Sequence, residues 1–167
     1  MKRDVVGDVL KQWRDERPDL DSEPMAIVGR ILRLAGHLER RANEAIKPFE
    51  LAIWGFDVLG ALRRKGKPYS MTPTELMRAV MLSSGAMTNR IDRLEAQGLV
   101  ERKADLDDRR SFQVALTGKG LRVVNEAAAV RFAEAKDAQK SLSATESRQL
   151  AALLQKMLLD VETEDGL

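Results

Sequence analysis

The chain has 167 residues, long enough for one compact domain or for a small domain with added association helices. It contains no cysteine, which excludes disulfides, thiolate metal sites and cysteine nucleophiles. A formal net charge of +2 gives no basic tail, and no uninterrupted apolar run approaches bilayer length or the pattern of a signal peptide, so a cytoplasmic protein without a membrane contact is expected.

The first 22 residues carry one short amphipathic segment, with Val6, Val9, Leu10 and Trp13 at helical spacing. Pro18 interrupts it. A long helix is predicted from about Pro24 to Lys47, with Ile27, Val28, Ile31, Leu34, Leu38 and Ala42 on its apolar stripe and Pro48 as its stop. His37 lies on this helix. It reads as a surface or interface side chain rather than a metal ligand, because the chain has no second histidine to share an ion.

Residues 51–62 (LAIWGFDVLGAL) are apolar on most sides and predict a largely buried helix. Asp57 is its only charge, and a carboxylate in that setting needs a partner. A basic turn follows, with Arg63, Arg64, Lys65 and Lys67 crowded together. Thr72, Pro73 and Glu75 then form a capping signal for a helix over 73–80: a hydroxyl, a first-turn proline and a reciprocal acid. A break at Leu82–Ser83 separates it from a helix over 84–97, ended by Gly98. Two short helices joined by a tight turn make a helix-turn-helix.

After Gly98 the hydrophobic period changes. LVERKAD and SFQVALT alternate as strands, with the polar tip ADLDDRR between them, and together they predict a wing. A helix over 118–137 comes next, and Ser143 with Glu146 caps a last helix whose apolar face is Leu150, Leu153, Leu154, Met157 and Leu158. The fold class is therefore mainly α with a small β-wing. Residues 1–48 supply N-terminal helices, 49–118 a winged helix-turn-helix and 119–167 C-terminal helices. The stripes at both ends exceed what so small a winged domain can cover, which predicts a homodimer built from both termini.

On a helical wheel of SSGAMTNRIDRLEAQG, Met87, Ile91 and Leu94 share one face and should anchor it. Gly85, Thr88, Asn89 and Asp92 face away. Ser84, Thr88 and Asn89 are short polar groups suited to base edges or phosphates, and Arg93 lies between the faces within reach of DNA. At the wing tip, Arg109 and Arg110 are candidates for a minor groove, with Asp108 pairing one guanidinium to shape the loop. The single histidine lacks an acid partner and no Gly-rich phosphate loop is present, so an enzyme is not expected, nor a cofactor or metal.

Asp108, Arg110, Leu116, Thr117 and Gly120 resemble the wing signature of the multiple antibiotic resistance regulator (MarR) family, and the likeness extends over about residues 24–162. The resemblance implies a triangular homodimer that binds a palindromic double-stranded operator and answers to a small anionic or phenolic effector. The chain is further similar to the urate-responsive and PecS-like branch of that family. That similarity implies a ligand site on Trp13, Asp57, Arg90 and Arg102, with urate or another purine as effector and repression as the outcome. Two alternatives stand beside it: a winged-helix DNA-binding regulator without a ligand, and a winged-helix module for protein contacts.

Overall fold

The computed structural model describes residues 3–80, 84–104 and 112–164. Helix α1 (Val5–Glu16) is capped by Asp4, whose carboxylate accepts the Gly7 amide hydrogen at 2.7 Å. It lies along α2 (Glu23–Ile46), held by Arg30 to Asp4 at 2.9 Å and by Val6 against Gly29. Pro48 does not end the chain's helical course outright. A 3-10 turn over Lys47–Phe49 carries it to Glu50, which takes a left-handed φ of 56°.

Helix α3 (Ile53–Lys65) starts later and runs further than the apolar stretch suggests. Its first turn is fixed from outside: the Asn43 side chain accepts the Ile53 amide hydrogen at 2.9 Å. Its basic end is tied into the fold rather than free, with Arg63 bonded to Asn125 at 2.8 Å and Lys65 paired with Glu75 at 3.1 Å. A two-residue strand β1 (Ser70–Met71) follows, too short to show alternation in the sequence.

The capping box forms as expected at α4 (Pro73–Val80): the Thr72 hydroxyl accepts from the Glu75 amide, and Glu75 accepts from the Thr72 amide. Helix α5 (Ser84–Ala96) comes next, then strands β2 (Val100–Ala104) and β3 (Phe112–Leu116). The sheet is antiparallel with the order β1-β3-β2, and Val100 faces Leu116 while Arg102 faces Val114. The wing sheet therefore has a third strand, β1 from before α4, on the edge of β3 away from β2. The helix break at Leu82–Ser83 and the wing tip lie outside the described residues.

Helix α6 (Gly118–Ala138) is capped by Thr117, whose hydroxyl accepts the Gly120 amide hydrogen at 2.9 Å and donates to the Gly98 carbonyl at 2.8 Å. Gly120 sits against the Leu99 carbonyl so closely that any β-carbon would overlap it. Helix α7 (Ala144–Glu164) closes the chain, with the second capping box at Ser143 and Glu146 in place.

One core joins these elements. Ile46, Val58, Leu59, Leu62, Leu76, Met87, Ile91, Leu94, Val114 and Val124 are fully buried in it. The terminal helices are different. Leu32 and Leu34 on α2, Phe132 on α6 and Leu153, Leu158 and Leu159 on α7 are each more than half exposed, and Phe132 reaches 75%. Ion pairs link α2 to α6: Arg41 donates to Glu134 at 2.8 Å and to Asp137 at 2.7 Å. Among the described residues no helix is long and apolar enough to cross a membrane.

Candidate nucleic-acid interface and effector site

The core decides which face of α5 is free. Met87, Ile91 and Leu94 are buried, so the helix is pinned along that stripe. Thr88, Asn89, Asp92 and Arg93 are exposed on the remainder. This is the division the wheel predicts, and it presents two short polar side chains and a guanidinium to solvent from a helix held rigidly behind. The Ser84 side chain lies outside the described residues, as do Asp108, Arg109 and Arg110.

Asp57 lies on α3 one turn beyond Trp54, so the two share a face. It keeps access to solvent. Burial by its neighbours still pushes its carboxyl above the usual carboxylate range, while the positive charges of Arg64, Arg131 and Arg90 pull it back. Among the described residues its carboxylate has no direct ion pair. Three arginines around one carboxylate leave this joint between α3, α5 and α6 with surplus positive charge. Of the three, Arg131 is already paired with Glu134 at 2.6 Å.

Arg90 is half-buried, with its guanidinium carbon 5.6 Å from the centre of the Trp54 ring. Arg93 lies 5.9 Å from the same ring. Trp54 carries no site signal of its own in the sequence, because a tryptophan in an apolar run reads as core. The signal available was its spacing of three from Asp57.

Arg102 is placed elsewhere. It leaves β2 to meet α5, donating to Asp92 and Glu95, and its backbone amide also donates to Glu95 at 3.1 Å. Its guanidinium lies 5.2 Å from the Phe112 ring on β3. The hydrogen bond to Asp92, above all, holds its pKa up. An anion can engage Arg102 only in competition with two carboxylates.

Trp13 is 53% exposed and lines an apolar cleft of about 380 Å³ between α1 and the start of α2, with Val9, Leu20 and Met25. The structure thus leaves Asp57 and Arg90 within electrostatic range but not ion-paired, and puts Arg102 and Trp13 in separate surroundings within one protomer. His37 accepts a hydrogen bond from Arg40 at 3.1 Å.

Comparison with known proteins gives a consistent result. A family model described as MarR family matches residues 55–111, from α3 to the residue before β3. The HTH-type transcriptional regulator PecS of Dickeya dadantii is 36% identical over 149 residues, covering 89% of this chain and 90% of PecS. A cysteine-to-serine variant of Escherichia coli MarR complexed with operator DNA superimposes with a TM-score of 0.71 at 27% identity, covering 87% of this chain and 97% of that one. BpsR of Bordetella bronchiseptica, whose DNA binding is regulated by 6-hydroxynicotinic acid, gives 0.69 at 27% identity, covering 78% of this chain and 91% of BpsR.

Proposed function

Because the chain belongs to the MarR family of winged-helix transcriptional regulators, we propose that it is a cytoplasmic repressor that binds a palindromic operator as a homodimer and releases it on binding a small anionic, aromatic effector, with urate or a related purine the leading candidate. The observation that carries the DNA reading is the division of α5. Its buried stripe of Met87, Ile91 and Leu94 fixes the helix, and Thr88, Asn89 and Arg93 stand free to enter a major groove. Arg109 and Arg110 extend the contact from the wing, with Asp108 shaping its tip.

Dimerisation follows from the exposed leucines of α2 and α7, which water leaves costly and a second copy would cover. It also bears on the effector site. Trp13 sits at the Met25 end of α2, whereas the Asp57 joint lies near its Arg41 end, through Glu134 and Arg131. At about 1.5 Å per residue those ends are roughly 24 Å apart. A ring from Trp13 therefore covers the Asp57 and Arg90 site only when it comes from the second protomer.

The effector acts by charge. An anion at Arg90 competes with Asp57 and shifts the seat of α5, and Arg102 joins the same anion only when the wing gives up its pairs with Asp92 and Glu95. The planar pyridine acid that regulates BpsR has the charge and flatness this mechanism asks of a ligand. Calorimetry with urate and xanthine on the wild type, Arg90→Ala and Trp13→Ala tests the assignment. Binding to the wild type that is lost in both variants supports it, and equal binding by all three removes the site.

A further inference from the structure

The α3 face bearing Trp54 and Asp57 does more than pack. Trp54 sits in the first turn of α3, next to Ile53, whose amide hydrogen the Asn43 side chain accepts, so the backbone that carries the ring is held. It is half-buried and lies against the core. Over it stand two guanidinium carbons at 5.6 and 5.9 Å, those of Arg90 and Arg93, which are three residues apart on α5. Neither arginine has a carboxylate partner in hydrogen-bonding range among the described residues. The indole face is thus the defined seat that both share.

We propose that Trp54 is a positioning residue for DNA recognition, a ring that holds Arg90 and Arg93 in place so that the recognition helix meets DNA with its long side chains already ordered. This rests on the DNA-binding reading above. Long arginine side chains lose much rotamer freedom when they bind, and an aromatic seat reduces that loss beforehand. The two arginines divide the work. Arg93 is exposed, on the face that the DNA reading assigns to the groove, while Arg90 is half-buried and within electrostatic range of Asp57. One ring therefore touches both the DNA-facing arginine and the arginine of the effector joint. An anion that moves Arg90 disturbs the seat Arg93 depends on, with no longer pathway required.

The test exploits the fact that the chain has two tryptophans. In Trp13→Phe, Trp54 is the sole indole. Without DNA, adding Arg90→Ala and Arg93→Ala to that background should change the Trp54 emission, because two cations leave its face. Unchanged emission overturns the seat. The DNA arm uses a labelled duplex selected by the wild-type protein from a random-sequence pool. Trp54→Leu should weaken its binding about tenfold, whereas Trp54→Phe, which keeps a π face, should stay within about threefold. Trp54→Leu should have no further effect once Arg90 and Arg93 are both alanine. Equal losses in the Leu and Phe variants, or losses that multiply in the combined variant, contradict the proposal. Circular dichroism checks that each variant is folded, and the emission comparison decides the matter even if Trp54→Leu is not. A wild type that selects no duplex would refute the DNA reading, and the DNA-free emission would still report on the seat.

Discussion

Arg102 on the wing strand β2 is ion-paired with Asp92 on the recognition helix α5. The same guanidinium reaches Glu95 and lies against Phe112. One side chain thereby ties the wing to the helix it must move with. Arg102→Ala leaves two carboxylates unpaired and should destabilise the domain by about 1 kcal/mol, the solvent access of the pair keeping the loss small. Its larger effect should be on DNA, several-fold weaker binding, because wing and helix no longer hold one geometry. Asp92→Asn combined with Glu95→Gln should reproduce this in an anisotropy titration.

Gly120 should not tolerate a side chain. A β-carbon there overlaps the Leu99 carbonyl, and both belong to backbone that Thr117 fixes by bonds to Gly98 and Leu99. Neither side can yield cheaply. Gly120→Ala should cost at least about 1–3 kcal/mol in a urea melt, although alanine is the better helix former. A neutral result would mean that α6 can slide on β2.

Asp57 sets a pH dependence. Its folded pKa is raised by burial above the unfolded value, so the folded state holds the proton more tightly. Stability then falls as pH rises through the window above the ordinary aspartate value and levels off past the folded pKa. Asp57→Asn removes that slope. It should melt slightly higher than the wild type at neutral pH, and the gap should close at about pH 4, near the ordinary aspartate pKa.

The exposed stripe of α7 predicts self-association. Sedimentation at micromolar concentration should give twice 18.7 kDa. Leu154→Glu, in a stripe with Leu150, Met157 and Leu158, should shift the chain toward monomer while leaving the winged core folded. An unaltered dimer in that variant would place the interface elsewhere.

What was legible in the sequence was local. Thr72 with Glu75 and Ser143 with Glu146 lie three residues apart, so their capping boxes can be read without the fold. The α5 division into Met87, Ile91 and Leu94 against Thr88 and Asn89 follows from helical period alone. Strand β1 escaped because Ser70 and Met71 are defined by pairing with Ala115 and Val114, far along the chain. Trp54 escaped because its role depends on two arginines brought over it by packing. Asp57 feels the charge of Arg90 across the fold without pairing with it, a relation that no local spacing in the sequence carries. The distance of Trp13 from them becomes visible only once α1 is seen at the far end of α2.

The most direct test of the whole account is operator release. A labelled palindromic duplex, selected by the wild-type protein from a random pool, is bound to saturation and followed by anisotropy while urate is added. Two protomers should bind per duplex, with steep weakening as salt rises and release by urate that is lost in Arg90→Ala. Binding that no purine or aromatic anion disturbs would contradict the effector mechanism, and a failure to bind any duplex would contradict the function itself.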